Sequence, residues 1–196
     1  MTKTIGILLF DDFEELDAVG PWEVLAYWTR TNPEDGWAVT TLSRDGTLVT
    51  AAKGLQLQPA HSYSDAPPLD VLIYPGGIGT RPHLKDEAQL EWVRRQRETV
   101  PLLTSVCTGS LVYAQAGLLK GRPATTHWAA LELLQQLDPT LEPKPDARYV
   151  DDGDMITAAG VSAGIDMALH LIVRLKDADR AREVKRGIQY DPQPPV

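Results

Sequence analysis

Cysteine is almost missing from this chain: one residue, Cys107, in 196. That excludes an internal disulfide and a cysteine-built zinc site, and it fits a reducing cytosol. Long apolar runs are missing too; none approaches the roughly 20 residues a membrane-spanning helix needs. Positive charge is in deficit, 19 Lys and Arg against 27 Asp and Glu, for a formal net charge of −8. Nucleic acid and anionic membrane are thereby disfavoured as partners. The four histidines, His61, His83, His127 and His170, are too dispersed for metal-ligand spacing. Met1-Thr2-Lys3-Thr4 runs into a strand with no signal-peptide pattern. No repeat, low-complexity block or linker divides the chain. The expectation is one soluble, cytoplasmic domain over residues 1–196 that handles a small molecule, with no metal and no cofactor.

What is present alternates between buried strands and amphipathic helices. Thr4–Phe10, Asp70–Tyr74 and Leu102–Val106 are apolar for too long to face water on one side, as central parallel strands are. Trp37–Ser43 alternates like a strand, and Thr47–Ala51 with Leu55–Gln58 reads as an exposed β excursion around Lys53-Gly54. Ala124–Thr126 reads as a short strand, and Tyr149–Asp151 with Met155–Ala158 as a hairpin around Asp152-Gly153-Asp154. Helices are expected from Pro21, a favoured first-turn residue, to about Arg30, and over Asp86–Thr99, Ser110–Ala116, Trp128–Leu137, Ser162–Arg174 and Ala178–Ile188. This is an α/β pattern: a doubly wound, mostly parallel sheet with helices on both faces and a site at the carboxyl ends of the strands.

Three segments end buried strands at that edge. Thr104-Ser105-Val106-Cys107-Thr108-Gly109-Ser110 reads as a strand-to-helix elbow that lifts Cys107 above the sheet. The free N–H groups and partial positive charge of the following helix favour a thiolate there, so Cys107 is expected to be a nucleophile, partly ionised at neutral pH. In the loop Asp11–Gly20, Asp17 stands apart from the other carboxylates because Leu16, Ala18 and Val19 surround it. A carboxyl group in such a pocket titrates with the thiol as a pair and can pass protons to substrate and from water. Gly76-Gly77 closes a third strand, with N–H groups expected to be free for charge on a bound substrate. His127 ends a short strand, where it either orients Cys107 or caps and packs; the other three histidines are read as structural.

On these residues the chain resembles the PfpI/ThiJ superfamily of the class I glutamine-amidotransferase-like fold. The marks are Leu16-Asp17-Ala18-Val19-Gly20-Pro21-Trp22-Glu23-Val24, Tyr74-Pro75-Gly76-Gly77, Ser105-Val106-Cys107-Thr108-Gly109 and Ala159–Ala168. The resemblance implies a nucleophilic Cys107, an acidic partner in Asp17, pocket-lining amides at Gly77 and Thr108, and a homodimer. Thr108 stands where protease-like relatives carry His, which puts proteolysis in doubt. Cys-Thr-Gly with Leu-Asp-x-x-Gly-Pro looks like the isocyanide hydratase branch, implying metal-independent hydration of an isocyanide to a formamide. Similar elbows occur in AraC-type regulators, whose helix-turn-helix region would need more chain than is expected after Val196. Glyoxalase-like chemistry on small 2-oxoaldehydes, and a redox-sensing thiol, are the alternatives.

Overall fold

The computed structural model describes residues 2–193. In chain order the elements are β1 (Lys3–Leu8), α1 (Glu15–Thr31), β2 (Trp37–Ser43), β3 (Val49–Thr50), β4 (Gln56–Leu57), β5 (His61–Ser62) and β6 (Val71–Tyr74). There follow α2 (Thr80–His83), α3 (Glu87–Thr99), β7 (Leu102–Val106), α4 (Gly109–Gln115), β8 (Pro123–Ala124), α5 (Leu131–Leu137), β9 (Glu142–Pro143), β10 (Tyr149–Asp151), β11 (Met155–Ala158), α6 (Ala163–Leu175) and α7 (Ala178–Gly187).

The main sheet has the order β10-β11-β7-β6-β1-β2-β5. Every neighbouring pair in it is parallel except the hairpin β10–β11. Its middle strands β6 and β7 are buried at every residue, as strands covered on both faces must be. Helices α1, α6 and α7 pack together as one group and α2, α3, α4 and α5 as another. The α/β doubly wound architecture of one domain is thus what the apolar runs implied. The β excursion is an antiparallel β3–β4 pair. No helix among the described residues is long and apolar enough to cross a membrane.

Several elements differ from the sequence reading: β5, β9 and α2 are not among those it expects, and β8 covers Pro123–Ala124 rather than Ala124–Thr126. Helix α1 begins at Glu15, not Pro21, and carries Pro21 inside it. A proline there removes one i→i−4 hydrogen bond and would ordinarily break the helix. Tertiary packing outweighs that loss: Pro21 lies against Gly164, and Gly20 against Ile165, so this stretch is the contact between α1 and α6. Asp17 therefore leaves from the first turn of a helix rather than from a loop. The stretch Trp128–Leu137 is a 3-10 turn, Trp128–Ala130, followed by α5. The small-residue helix α6 buries Ala163, Gly164, Met167, Ala168, Leu171 and Ile172 within one chain, largely against α1 and α7.

Candidate active site

Cys107 follows the last residue of β7 and precedes α4 by one residue, with φ at +56°. A non-glycine residue in the left-handed region costs about 1–3 kcal/mol and persists only where its surroundings hold it. Here they do. The Cys107 N–H is shared between the carbonyls of Ala158 (3.1 Å) and Ala159 (3.0 Å) at the end of β11. The Cys107 carbonyl accepts from the hydroxyls of Thr126 (2.9 Å) and Ser110 (3.2 Å). Cys107 is 5% exposed, so the thiol is nearly closed off from bulk solvent.

Asp17 comes to this thiol from the first turn of α1 and is fully buried. Its Oδ2 accepts the N–H of Gly76 at 2.8 Å and the carboxyl lies within reach of the Cys107 thiol, while Oδ1 has no hydrogen-bond partner among the described residues. A buried carboxyl oxygen without a partner is expensive in the ionised form. Burial, with the nearby Glu14 charge added, pushes the Asp17 carboxyl up to about 7, against the pull of the Gly76 amide. The Glu14 charge is itself tied down by Lys53, which pairs with Glu14 and Glu15 from the β3–β4 turn.

Gly76 and Gly77 do not play the part expected of them. The Gly76 N–H belongs to Asp17, and the Gly77 N–H donates to the Thr108 hydroxyl at 2.9 Å. Neither amide is free for substrate. What the segment needs is space: a Cβ on Gly76 would lie 2.4 Å from the Thr108 nitrogen and 2.8 Å from Asp17 Oδ2. Thr108 keeps its expected place, but its hydroxyl is locked to the Gly77 loop and only its amide faces the site.

The thiol also differs from expectation. The amides of Thr108 and Val161 lie toward the sulfur and favour a thiolate. Burial and the Asp17 charge outweigh them and push the thiol up to about 12. Cys107 and Asp17 therefore titrate together: the pair holds two protons below about 7 and one above it. Chemically, that one proton is the useful feature. Moving it from sulfur to carboxyl yields a thiolate beside a carboxylic acid with no change in total charge.

His127 resolves toward capping. Its Nδ1 accepts the Ala129 N–H at 3.2 Å at the start of the 3-10 turn, and its ring lies on Gly160, where a Cβ would sit 2.3 Å from Cδ2. No hydrogen bond joins it to Cys107 among the described residues. His83 is in the short helix α2 rather than a turn, 2.6 Å from the Tyr74 hydroxyl through Nδ1, and His170 pairs with Asp151 on the rim of α6. Val161 and Thr126, both against the Cys107 turn, escaped the sequence reading. The left-handed φ of +48° at Val161 has no sequence signal in a β-branched residue, and nothing distinguishes Thr126 from Thr125 beside it.

Comparison with known proteins agrees with this architecture. The model of the DJ-1/PfpI family matches residues 3–174. Isonitrile hydratase from Pseudomonas putida is 43% identical over 196 residues, 100% of this chain and 82% of that protein. The HTH-type transcriptional regulator GbdR from Pseudomonas aeruginosa is 32% identical over 186 residues, 95% of this chain but 49% of the regulator. The chain thus spans about half the length of that regulator. A ThiJ/PfpI family protein from Pseudomonas syringae superposes with a TM-score of 0.90 at 32% identity, over 100% of this chain and 78% of the other. DJ-1beta from Drosophila melanogaster has a TM-score of 0.82 at 23% identity, over 97% of this chain and 100% of the other, a likeness of fold alone. The match across most of its length places the chain in the DJ-1/PfpI family.

Proposed function

We propose that this protein is a lyase that hydrates an isocyanide to an N-substituted formamide, with Cys107 as nucleophile and Asp17 as acid and base. The observation that carries the reading is the buried pair: a thiol beside a carboxyl group whose Oδ1 is unpartnered and whose proton affinity is raised into the neutral range. The 43% identity to isonitrile hydratase supports it. A terminal isocyanide carbon is both electrophilic and protonatable, so it suits a thiolate and a carboxylic acid delivered together. The thiol proton passes to Asp17 and from there to the isocyanide carbon as sulfur bonds to it, giving a thioimidate, Cys–S–CH=N–R. Asp17, ionised again, takes a proton from water as its oxygen adds to that carbon and passes that proton to the nitrogen, leaving the hydroxyl proton to go to sulfur. Collapse breaks the carbon–sulfur bond, returns a proton to sulfur and releases R–NH–CHO. The Thr108 and Val161 amides favour sulfur whenever it carries charge.

A glyoxalase-like reaction would lean on His127, whose Nδ1 is taken by Ala129, so hydration is preferred. The same reading carries a homodimer in the cytoplasm. The dimer rests on the family resemblance; a sedimentation mass near the 21.6 kDa monomer would overturn it. For the chemistry, Cys107→Ser is expected to fold normally and to form no formamide from an aryl isocyanide. Undiminished turnover would remove the nucleophile from this reading.

A further inference from the structure

The two hydroxyls on the carbonyl of the Cys107 turn have no place in the proposed reaction. Among the described residues that carbonyl accepts no backbone N–H; its partners are Thr126 Oγ1 at 2.9 Å and Ser110 Oγ at 3.2 Å, both fully buried side chains. The carbonyl of Cys107 and the N–H of Thr108 belong to one rigid, trans peptide unit and point in opposite directions. Whatever grips the oxygen on one side aims the N–H on the other. The N–H so aimed is one of the two that favour charge on the sulfur.

We infer that Thr126 is a positioning residue: by holding the Cys107 carbonyl it fixes the Cys107–Thr108 peptide plane and so keeps the Thr108 N–H trained on the reacting sulfur. The inference deepens the reading of Cys107 as nucleophile and rests on it. The backbone around Thr126 is placed independently of its hydroxyl, since the Thr125 N–H donates to Thr157 Oγ1 on β11 at 2.9 Å. Ser110 alone leaves the plane less well held, because it is the longer of the two bonds and lies on α4, which moves with the elbow. Thr126 grips from outside the elbow. The strained φ of Cys107 gives such an anchor a use beside the Ala158 and Ala159 carbonyls that hold its N–H, because the turn has a lower-energy conformation to relax into.

The test compares Thr126→Val, which keeps shape and loses the donor, with Thr126→Ser, which keeps the donor. Two readouts are taken for each: kcat and KM on an aryl isocyanide, and the rate of iodoacetamide alkylation from pH 6 to pH 10. Losing a single oxyanion-type donor outright costs about 10²–10³ in kcat, so partial misdirection should cost about tenfold. Thr126→Val is expected to lose about that in kcat with KM within about twofold, and to alkylate roughly threefold more slowly at pH 8, while Thr126→Ser stays within about twofold of wild type in both. Wild-type behaviour of Thr126→Val, or a loss that Thr126→Ser shares, overturns the inference, the latter by showing a packing role. If Thr126→Val does not fold, Ser110→Ala takes its place with the same signs and smaller effects. Absence of hydration in the wild-type protein overturns the reaction proposed above instead; the alkylation series then still decides whether Thr126 tunes the sulfur.

Discussion

Replacing Asp17 by Asn should make the protein more stable and less active, and the size of the first effect follows from the site. The carboxyl is raised from 3.8 to about 7 by burial. A raised acid binds its proton more tightly in the folded state than in the unfolded one. Stability is therefore lost as pH rises from about 4 to about 7, and the loss is complete above that. Three pKa units at 1.36 kcal/mol each give roughly 4 kcal/mol at pH 8, of which about 3 accrues above pH 5. Asn has nearly the same shape, accepts from the Gly76 amide and carries no charge, so it escapes that cost. Urea unfolding at pH 5 and pH 8 measures it. The advantage of Asp17→Asn over wild type should grow by about 3 kcal/mol between the two, equivalent near pH 8 to a melting temperature about 10 °C higher for a chain of this size. Apart from Cys107, whose pKa Asp17 helps to raise, the other titrating groups are shared and cancel. An advantage that does not change with pH would falsify the assignment of a raised pKa to Asp17. In the same variant, formamide production should fall at least about a hundredfold, because both proton transfers are gone. Alkylation of Cys107 should persist or quicken, since one of the causes that raise its pKa has been removed. In the wild-type enzyme, kcat/KM should rise with pH through about 7 as the pair loses its first proton.

Gly76→Ala is expected to abolish hydration while leaving the fold in place, because its Cβ would meet the Thr108 nitrogen at 2.4 Å; circular dichroism and turnover together check this, and near-wild-type turnover would refute the crowding. Asp35 lies far from the site, with a side chain 1% exposed that accepts from Trp28 Nε1 at 2.8 Å, Lys176 Nζ at 2.8 Å and Arg180 Nε at 2.7 Å, tying the end of α1 to α7. Asp35→Ala should cost at least about 2 kcal/mol at pH 7 by urea unfolding, with turnover per folded molecule unchanged. These cationic and hydrogen-bonding partners hold the Asp35 carboxyl down at about 2. The penalty for Asp35→Ala should therefore shrink as pH falls toward 2, because wild type then loses the same charge; a constant penalty would refute the ionic account.

The strands that carry the site were legible because burial on both faces leaves an unbroken apolar run, as in Val71–Tyr74 and Leu102–Val106. The elbow was legible because a lone cysteine before Thr-Gly at the end of such a run has few other uses. Local rules failed where a distant contact reversed them. Pro21 signals a helix start, yet α6 packs against that stretch and carries α1 through it. The Gly76 and Gly77 amides look free in sequence, yet Asp17 and Thr108, far away in the chain, occupy them. The helix start at Cys107 favours a thiolate, yet burial and the Asp17 charge prevail. In each case the local preference exists and is outweighed by a neighbour that chain order does not reveal.

That last reversal bears on how the reaction can run near neutral pH. A thiol held at about 12 would by itself be almost wholly protonated at pH 7 and a poor nucleophile. An ordinary carboxylate, titrating near 4, would be a weak base toward it. The same burial that suppresses the thiolate raises the carboxyl to about 7, so the Asp17 carboxylate is a better base at the start of the proposed reaction and its acid form a readier donor to carbon a moment later. Attack and protonation then draw on one proton already inside the site. The stability forfeited by burying Asp17 and the rate gained from it have a single origin, the burial of the carboxyl group next to the thiol. A variant that gave Oδ1 a hydrogen-bond donor should accordingly lower the carboxyl's pKa, recover stability at pH 8 and lose hydration, all three together. Stability recovered without loss of hydration would separate the two effects and remove the raised carboxyl from the mechanism.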